Sequence, residues 1–195
     1  MNAFSEDRRK NEFRQLWKMV YARESFRYVR KICDFITDQR LDRSSPVHYQ
    51  LCTAIVVLYA RPFKHSDIVG ALSEKFVPNE MRSLHDQLMK LRDQVAAHFP
   101  ANAMPYGSDG PPANSVWLII NDDGQRSLAV QGLHFSATAI SDIIALSNVL
   151  SEGTHNEVTS IWTRLHEQRL LPTFPGEYLM DSEKAEFTPM NMPRD

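Results

Sequence analysis

The string Leu91-Arg92-Asp93-Gln94-Val95-Ala96-Ala97-His98 closes a long stretch of helical periodicity and runs straight into Phe99-Pro100. An arginine and a histidine near one helix end are the two chemical types that metal-free RNA cleavage uses. Attack by a neighbouring 2′-hydroxyl needs a group titrating near neutrality to move a proton, and a fixed cation to stabilise charge growing on the phosphate. In a regular helix a six-residue separation turns His98 about 120° away from Arg92 and carries it about 9 Å along the axis. The pair can share one phosphate only through unwinding near Phe99-Pro100 or through flexible reach. A structural role stands beside the chemical one. A histidine at a helix C-terminus is favoured there when protonated, and Arg92 can serve an ion pair with Asp86 or with neighbours of Asp93. The residues by themselves leave both roles open.

The elements that must position this pair are helical. From Ser5 to about Gln39 the residues Phe13, Trp17, Val20, Tyr28, Ile32 and Phe35 recur at helical steps with no Gly or Pro between them, which predicts one long amphipathic helix or two with a bend. Its other side gathers Arg23, Arg27, Arg30 and Lys31; taken alone, that stripe reads as a solvated face. Ser45-Pro46 is an N-cap followed by proline at the first helical position. It opens a helix apolar nearly all round, predicted at the centre of a bundle, which leaves through Tyr59-Ala60-Arg61-Pro62-Phe63. Arg61 there can cap the last carbonyls or point into a cleft. A shorter helix is expected over Ser66 to Phe76. The series Met81, Leu84, Leu88, Leu91, Val95 then steps alternately by three and four, the clearest helix in the chain. On it His85 and Arg92, seven apart, return to nearly the same face, and for His85 a satisfied, half-buried place is the expectation.

Residues 100–114 read as a loop. SVWLIIN and RSLAVQGLHF, joined by Asp122-Asp123-Gly124, read as a hairpin at about 115–135 whose first strand is apolar on both faces and should need cover on both. A last helix carries Ile140, Ile143, Ile144, Val149, Val158, Ile161, Trp162 and Leu165, capped by Ser136 or Thr138, with a bend expected at Gly153. The expected fold is mainly α: four to five helices in one domain over 1–171 with one inserted β-hairpin. Residues 172–195 are expected to form a poorly ordered tail whose one sticky point is Tyr178-Leu179-Met180.

Composition narrows the functional classes. With 43% hydrophobic and 24% charged residues the chain has the make-up of an ordinary globular protein. Charge is uneven: residues 1–43 carry 11 Lys/Arg against 7 Asp/Glu, whereas 101–195 carry 5 against 12. Any polyanion contact is therefore confined to a patch. No apolar run approaches the roughly 20 residues of a membrane span, and the charged, amphipathic N-terminus does not have the make-up of a secretory signal. Cys33 and Cys52, the only two cysteines, sit in apolar helical patterns and are expected in the core of a reduced, cytoplasmic protein. There is no phosphate-binding glycine loop, no nucleophile elbow and no dinucleotide fingerprint. The histidines show no metal-ligand spacing, so neither a metal nor another cofactor is expected.

HDQLMKLRDQVAAHF resembles the signature of HEPN domains (higher eukaryote and prokaryote nucleotide-binding), an arginine followed four to six residues later by a histidine, frequently with a polar residue directly after the arginine. Arg92-Asp93 with His98 fits that form. The order of a helix ending in Tyr-Ala-Arg-Pro-Phe before a helix carrying His85, Arg92 and His98 resembles bacterial HEPN proteins of the abortive-infection kind. The resemblance covers roughly residues 10–100 and, loosely, the last helix; the hairpin and tail lie outside it. It implies a HEPN-like bundle and a metal-independent endoribonuclease, toxin-like or antiphage, with His98 as general acid/base, Arg92 on the scissile phosphate and Asp93 orienting them. Arg61 and His85 would support that centre, and Arg23, Arg27 and Arg30 would extend an RNA path. It further implies a homodimer whose two motifs line one cleft, with an antitoxin protein as a further partner. The alternatives are a non-catalytic helical module that engages proteins through the hairpin or the Tyr178-Leu179-Met180 stretch, and a HEPN-like domain that binds nucleotides without cleaving them.

Overall fold

The computed structural model describes residues 3–43, 45–66, 70–97, 116–130 and 132–190. Among these the chain forms four α-helices and two antiparallel strand pairs: α1 (Ala3–Asp38), α2 (Pro46–Ala60), α3 (Arg82–Ala97), β1 (Val116–Ile120), β2 (Arg126–Val130), α4 (Ala137–Glu167), β3 (Tyr178–Asp181) and β4 (Glu186–Pro189). The fold is mainly α, with the expected hairpin between the third and last helices.

The frame is an antiparallel pairing of α1 with α4. Glu12 lies beside Arg164, Arg23 beside His155, and the end of α1 beside Ile140. α2 packs on α1, and α3 on α2. The stripe of α1 that is buried is Phe13, Leu16, Met19, Ala22, Phe26, Val29, Cys33 and Ile36. Trp17, Tyr28 and Phe35, expected inside, are exposed instead. The helix has apolar residues on more than one face, and the buried face is marked partly by Ala22 and Cys33. These two are small enough to let the neighbouring helices approach and too small to dominate a hydropathy pattern. Each large side chain fully buried along this stripe contributes on the order of 1.5–3 kcal/mol.

α2 opens as expected, with Ser45 Oγ accepting from the Val47 amide at 3.2 Å and Pro46 in the first turn. Its buried residues include His48, Cys52, Ile55, Val56 and Tyr59. Cys33 and Cys52 are both buried and free, and burial pushes each thiol up to about 12. The short helix expected over Ser66 to Phe76 is absent among the described residues of that stretch; only a single 3-10 turn forms, Glu74–Phe76, with Ser73 capping it. Gly70, with φ 66°, holds a left-handed conformation that interrupts a helix there.

α4 is one helix that runs unbroken through Gly153. The glycine serves a close approach instead: a Cβ at 153 would stand 3.3 Å from the Phe76 ring. Ser136, not Thr138, caps the helix, its Oγ accepting from the Ala139 amide at 3.1 Å.

Two further expectations change. The tail expected over 172–195 contains a second hairpin, β3–β4, and it is packed on the bundle. Arg9 Nε donates to the Ala185 carbonyl at 2.8 Å, Arg14 pairs with Glu183, and the Phe187 ring meets Phe13 at 5.3 Å. Its two four-residue strands are too short to show a period. The β1–β2 hairpin is paired in the register Val116↔Val130 to Ile120↔Arg126, yet it has no cover on β1: even Trp117 and Ile119 remain 43% exposed.

Candidate functional site

α3 inserts Leu84, His85, Leu88 and Leu91 between its neighbours, and Arg92 and Asp93 follow where that buried stripe meets the surface. Arg92 Nη1 donates to Asp93 Oδ1 at 3.0 Å. Asp93 is held from the other side by Lys64, whose Nζ lies 2.8 Å from Oδ1 and 3.0 Å from Oδ2. The hydrogen bond from Lys64, with a smaller one from Arg92, keeps the Asp93 carboxyl below the usual carboxylate range. Near neutral pH it is an anion that fixes two cations and has no proton to exchange. The Arg92 side chain is 35% exposed, and its bond to Asp93 uses only Nη1. His98, the other half of the expected pair, lies outside the described residues.

Lys64 was not singled out from sequence. It comes into place because α2 ends at Ala60, just ahead of Pro62, and the chain continues through a 3-10 turn, Arg61–Phe63, which returns Lys64 toward α3. The signal available in the sequence was its position just beyond a proline-containing helix exit, opposite an acidic residue of the next long helix. Among the described residues the Arg61 side chain neither caps carbonyls nor joins Asp93. Its guanidinium lies 5.3 Å from the centroid of the Tyr21 ring of α1, a cation–π contact.

His85 is more deeply placed than a half-buried residue, with 1% of its surface exposed. Its Nδ1 is 2.8 Å from the Tyr59 hydroxyl, its ring meets Phe63 edge-on at 4.6 Å, and Nε2 lies 4.0 Å from Glu74. Burial lowers its pKa, against a smaller opposing pull from Glu74 and Asp86. It is a neutral core imidazole that locks α3 to the exit of α2, and it thereby sets where Lys64 and Asp93 meet.

Arg23, Arg27 and Arg30 lie elsewhere. They line a separate open groove of about 440 Å³ between α1 and α4, facing Asn148, Ser151 and His155. Glu24 accepts from both Arg23 and Arg27, and Asp34 from Arg30, so much of the stripe's charge is already paired. Tyr21, which carries Arg61, is about 200° around α1 from Arg23. The structure thus brings Arg92, Asp93 and Lys64 together and sets the three α1 arginines on another face. Among the described residues no group of three or more His, Cys, Asp or Glu side chains is arranged to hold a metal ion, and no helix is long and apolar enough to cross a membrane. No family model, no curated protein and no solved structure matches the chain.

Proposed function

We propose that the chain is a HEPN-type, metal-independent endoribonuclease acting as a homodimer, with a toxin-like or antiphage role in the cytoplasm and an antitoxin protein as its natural counterpart. The observation that supports it is the Lys64–Asp93–Arg92 bridge at the surface of α3. A carboxylate whose pKa is held below its usual range holds two cations side by side, and the part-exposed Arg92 guanidinium has donors beyond the one it gives Asp93 with which to meet a phosphate oxygen. In this reading Arg92 stabilises the charge on the phosphate, Asp93 orients Arg92, and His98 moves the proton. Lys64 joins them as a positioning residue, while His85 and Tyr59 fix the helix pair beneath. Arg61 stays at the margin, stacked on Tyr21, and Arg23, Arg27 and Arg30 form a distant RNA contact.

The test incubates purified protein with total tRNA and mRNA in EDTA, beside Arg92→Ala and His98→Ala variants checked by circular dichroism. Cleavage abolished by both substitutions supports the proposal; no cleavage, or equal cleavage by the variants, ends it.

A second reading, a non-catalytic interaction module, rests on the uncovered β1–β2 hairpin. Val116, Trp117, Leu118, Ile119 and Ile120 are all exposed, and β1 carries no charge or proline to guard its edge. Together with Leu128 they leave apolar surface exposed on both faces of the hairpin, more than the scattered single apolar residues of an ordinary monomer surface. A second copy is the fitting occupant, since an uncharged strand pairs with its twin across a two-fold axis without repulsion.

A further inference from the structure

The turn of the first hairpin decides which backbone groups of β1 are left for a partner. The Asn121 amide donates to the Gln125 carbonyl at 2.9 Å, and the Asn121 carbonyl accepts from the Gly124 amide at 2.8 Å. Gly124, at φ 81°, is the left-handed residue of a short loop that closes in a bulge. Asn121 therefore turns both of its backbone groups toward β2. In an antiparallel pair these directions alternate residue by residue. With Trp117 opposite Ala129 and Ile119 opposite Ser127, Trp117 and Ile119 direct their N–H and C=O to β2, whereas those of Val116, Leu118 and Ile120 point out of the free edge. Among the described residues no third strand pairs with that edge.

The side chains select what can lie there. Val116, Leu118 and Ile120 stand on one face of β1 and Trp117 and Ile119 on the other, all exposed. β1 carries no charge, while β2 carries Arg126. The hairpin's remaining charges, Asp122 and Asp123, are both acidic and both in the turn. A second copy laid parallel to β1 would set two acidic turns side by side. An antiparallel copy sends them to opposite ends. With a two-fold axis at Leu118 the two Asp122 residues lie about 27 Å apart, well beyond the screening length of about 10 Å.

We infer that two copies of the chain join edge to edge through β1, antiparallel and with the two-fold axis at Leu118, to form one sheet in the order β2–β1–β1–β2. Every outward N–H and C=O of β1 then has a partner: Leu118 exchanges both with its own counterpart, and Val116 with Ile120 of the second copy. Trp117 falls opposite Ile119 of the second copy in the closer, non-hydrogen-bonded pairs, an aromatic ring against a β-branched side chain. Arg126 guards the outer edges, so the sheet closes at two copies. The inference rests on the self-association reading of the hairpin and gives it a geometry. It shares no residue with the Arg92 centre.

Sedimentation velocity of the full chain is expected to show a reversible dimer. Leu118→Pro removes an N–H that β1 does not give to β2, and proline is tolerated at such an edge position, so the dimer should weaken at least tenfold with helical circular dichroism unchanged. Leu118→Lys sets two ammonium groups opposite each other on the axis and should weaken it as much. Leu128→Lys, on the same face but one strand in from the edge, should leave the dimer intact. Under mild oxidation Leu118→Cys alone should cross-link, and so should Trp117→Cys mixed with Ile119→Cys. Trp117→Cys alone should not, because position 117 meets its counterpart only diagonally, at about 7–8 Å, beyond the reach of a disulfide. Cys33 and Cys52, buried with thiols pushed up to about 12, stay silent.

A monomeric wild-type chain overturns the self-association reading and this inference with it. Two other results overturn the edge pairing alone and leave self-association standing. One is a dimer that Leu118→Lys and Leu128→Lys weaken equally, which would be packed through the sheet faces. The other is a dimer cross-linked by Trp117→Cys alone and not by Leu118→Cys, which would have another register.

Discussion

Replacing Tyr59 by phenylalanine isolates one buried hydrogen bond. The Tyr59 hydroxyl is 2.8 Å from His85 Nδ1, and both residues are essentially without solvent contact. Burial holds the Tyr59 hydroxyl protonated far above its usual range, so it is available to this bond at every working pH. Phenylalanine keeps the ring and its contacts with Phe26 at 5.9 Å and Phe63 at 5.7 Å, so the packing term is nearly unchanged. What is lost is the bond, and what remains is a buried imidazole nitrogen with no partner, together about 1–3 kcal/mol. At a urea m-value of about 2 kcal/mol per molar, within the ordinary range, the midpoint should fall by roughly 1 M. The assay is urea unfolding followed by circular dichroism at pH 7.5, for Tyr59→Phe, His85→Leu and the double variant. With His85 gone no nitrogen is orphaned, so Tyr59→Phe should cost at least about 1 kcal/mol less in that background. An unchanged midpoint for the single variant, or equal losses in both backgrounds, would refute the idea that this bond ties α3 to α2.

Three further outcomes are expected. His48 and His85 both have folded-state pKa values lowered by burial. Protons therefore favour the unfolded chain: stability is fully present above about pH 6.5 and declines as pH falls from there toward the folded values, by up to about 1.4 kcal/mol per pH unit for each histidine. Unfolding curves from pH 7.5 to 5 should show this slope, and a flat profile would mean that the imidazoles can be protonated in place. Gly153→Ala gains helix propensity of up to about 1 kcal/mol but sets a Cβ 3.3 Å from Phe76; the gain should appear in full only alongside Phe76→Ala, read from thermal midpoints. Trp117→Ser with Ile119→Ser removes exposed apolar surface, so stability should move by no more than about 0.5 kcal/mol while sedimentation velocity shows loss of self-association if the hairpin carries it.

The helices could be read from sequence wherever one signal dominated. α3 has a single apolar stripe, and α2 has a serine cap, a proline at its start and an apolar interior, so both were legible. α1 was legible as a helix but not in its phase, because the large rings of Trp17, Tyr28 and Phe35 mark one face while the buried face is marked partly by the small residues Ala22 and Cys33. β3–β4 was invisible because four-residue strands carry no period; its position is set by Arg9, Arg14 and Phe13, which lie far away in sequence. In the candidate site the Arg92-Asp93 contact was readable as neighbouring residues, whereas Lys64 depends on a 3-10 turn beyond a proline and the depth of His85 on three separate elements.

The pairing of α1 with α4 also sets the order of events during synthesis. The apolar stripe of α1 finds its principal cover on α4, about a hundred residues later, and Arg9 reaches its acceptor only at Ala185. At about 5–20 residues per second, α1 waits roughly 5–30 s after leaving the ribosome before its partner is made. A nascent chain of this protein can thus close α2 over Phe26, whose ring partners are Tyr59 and Phe63, while the other end of α1 stays bare, and its yield in a cell will depend on what shelters Phe13 until Phe187 is made.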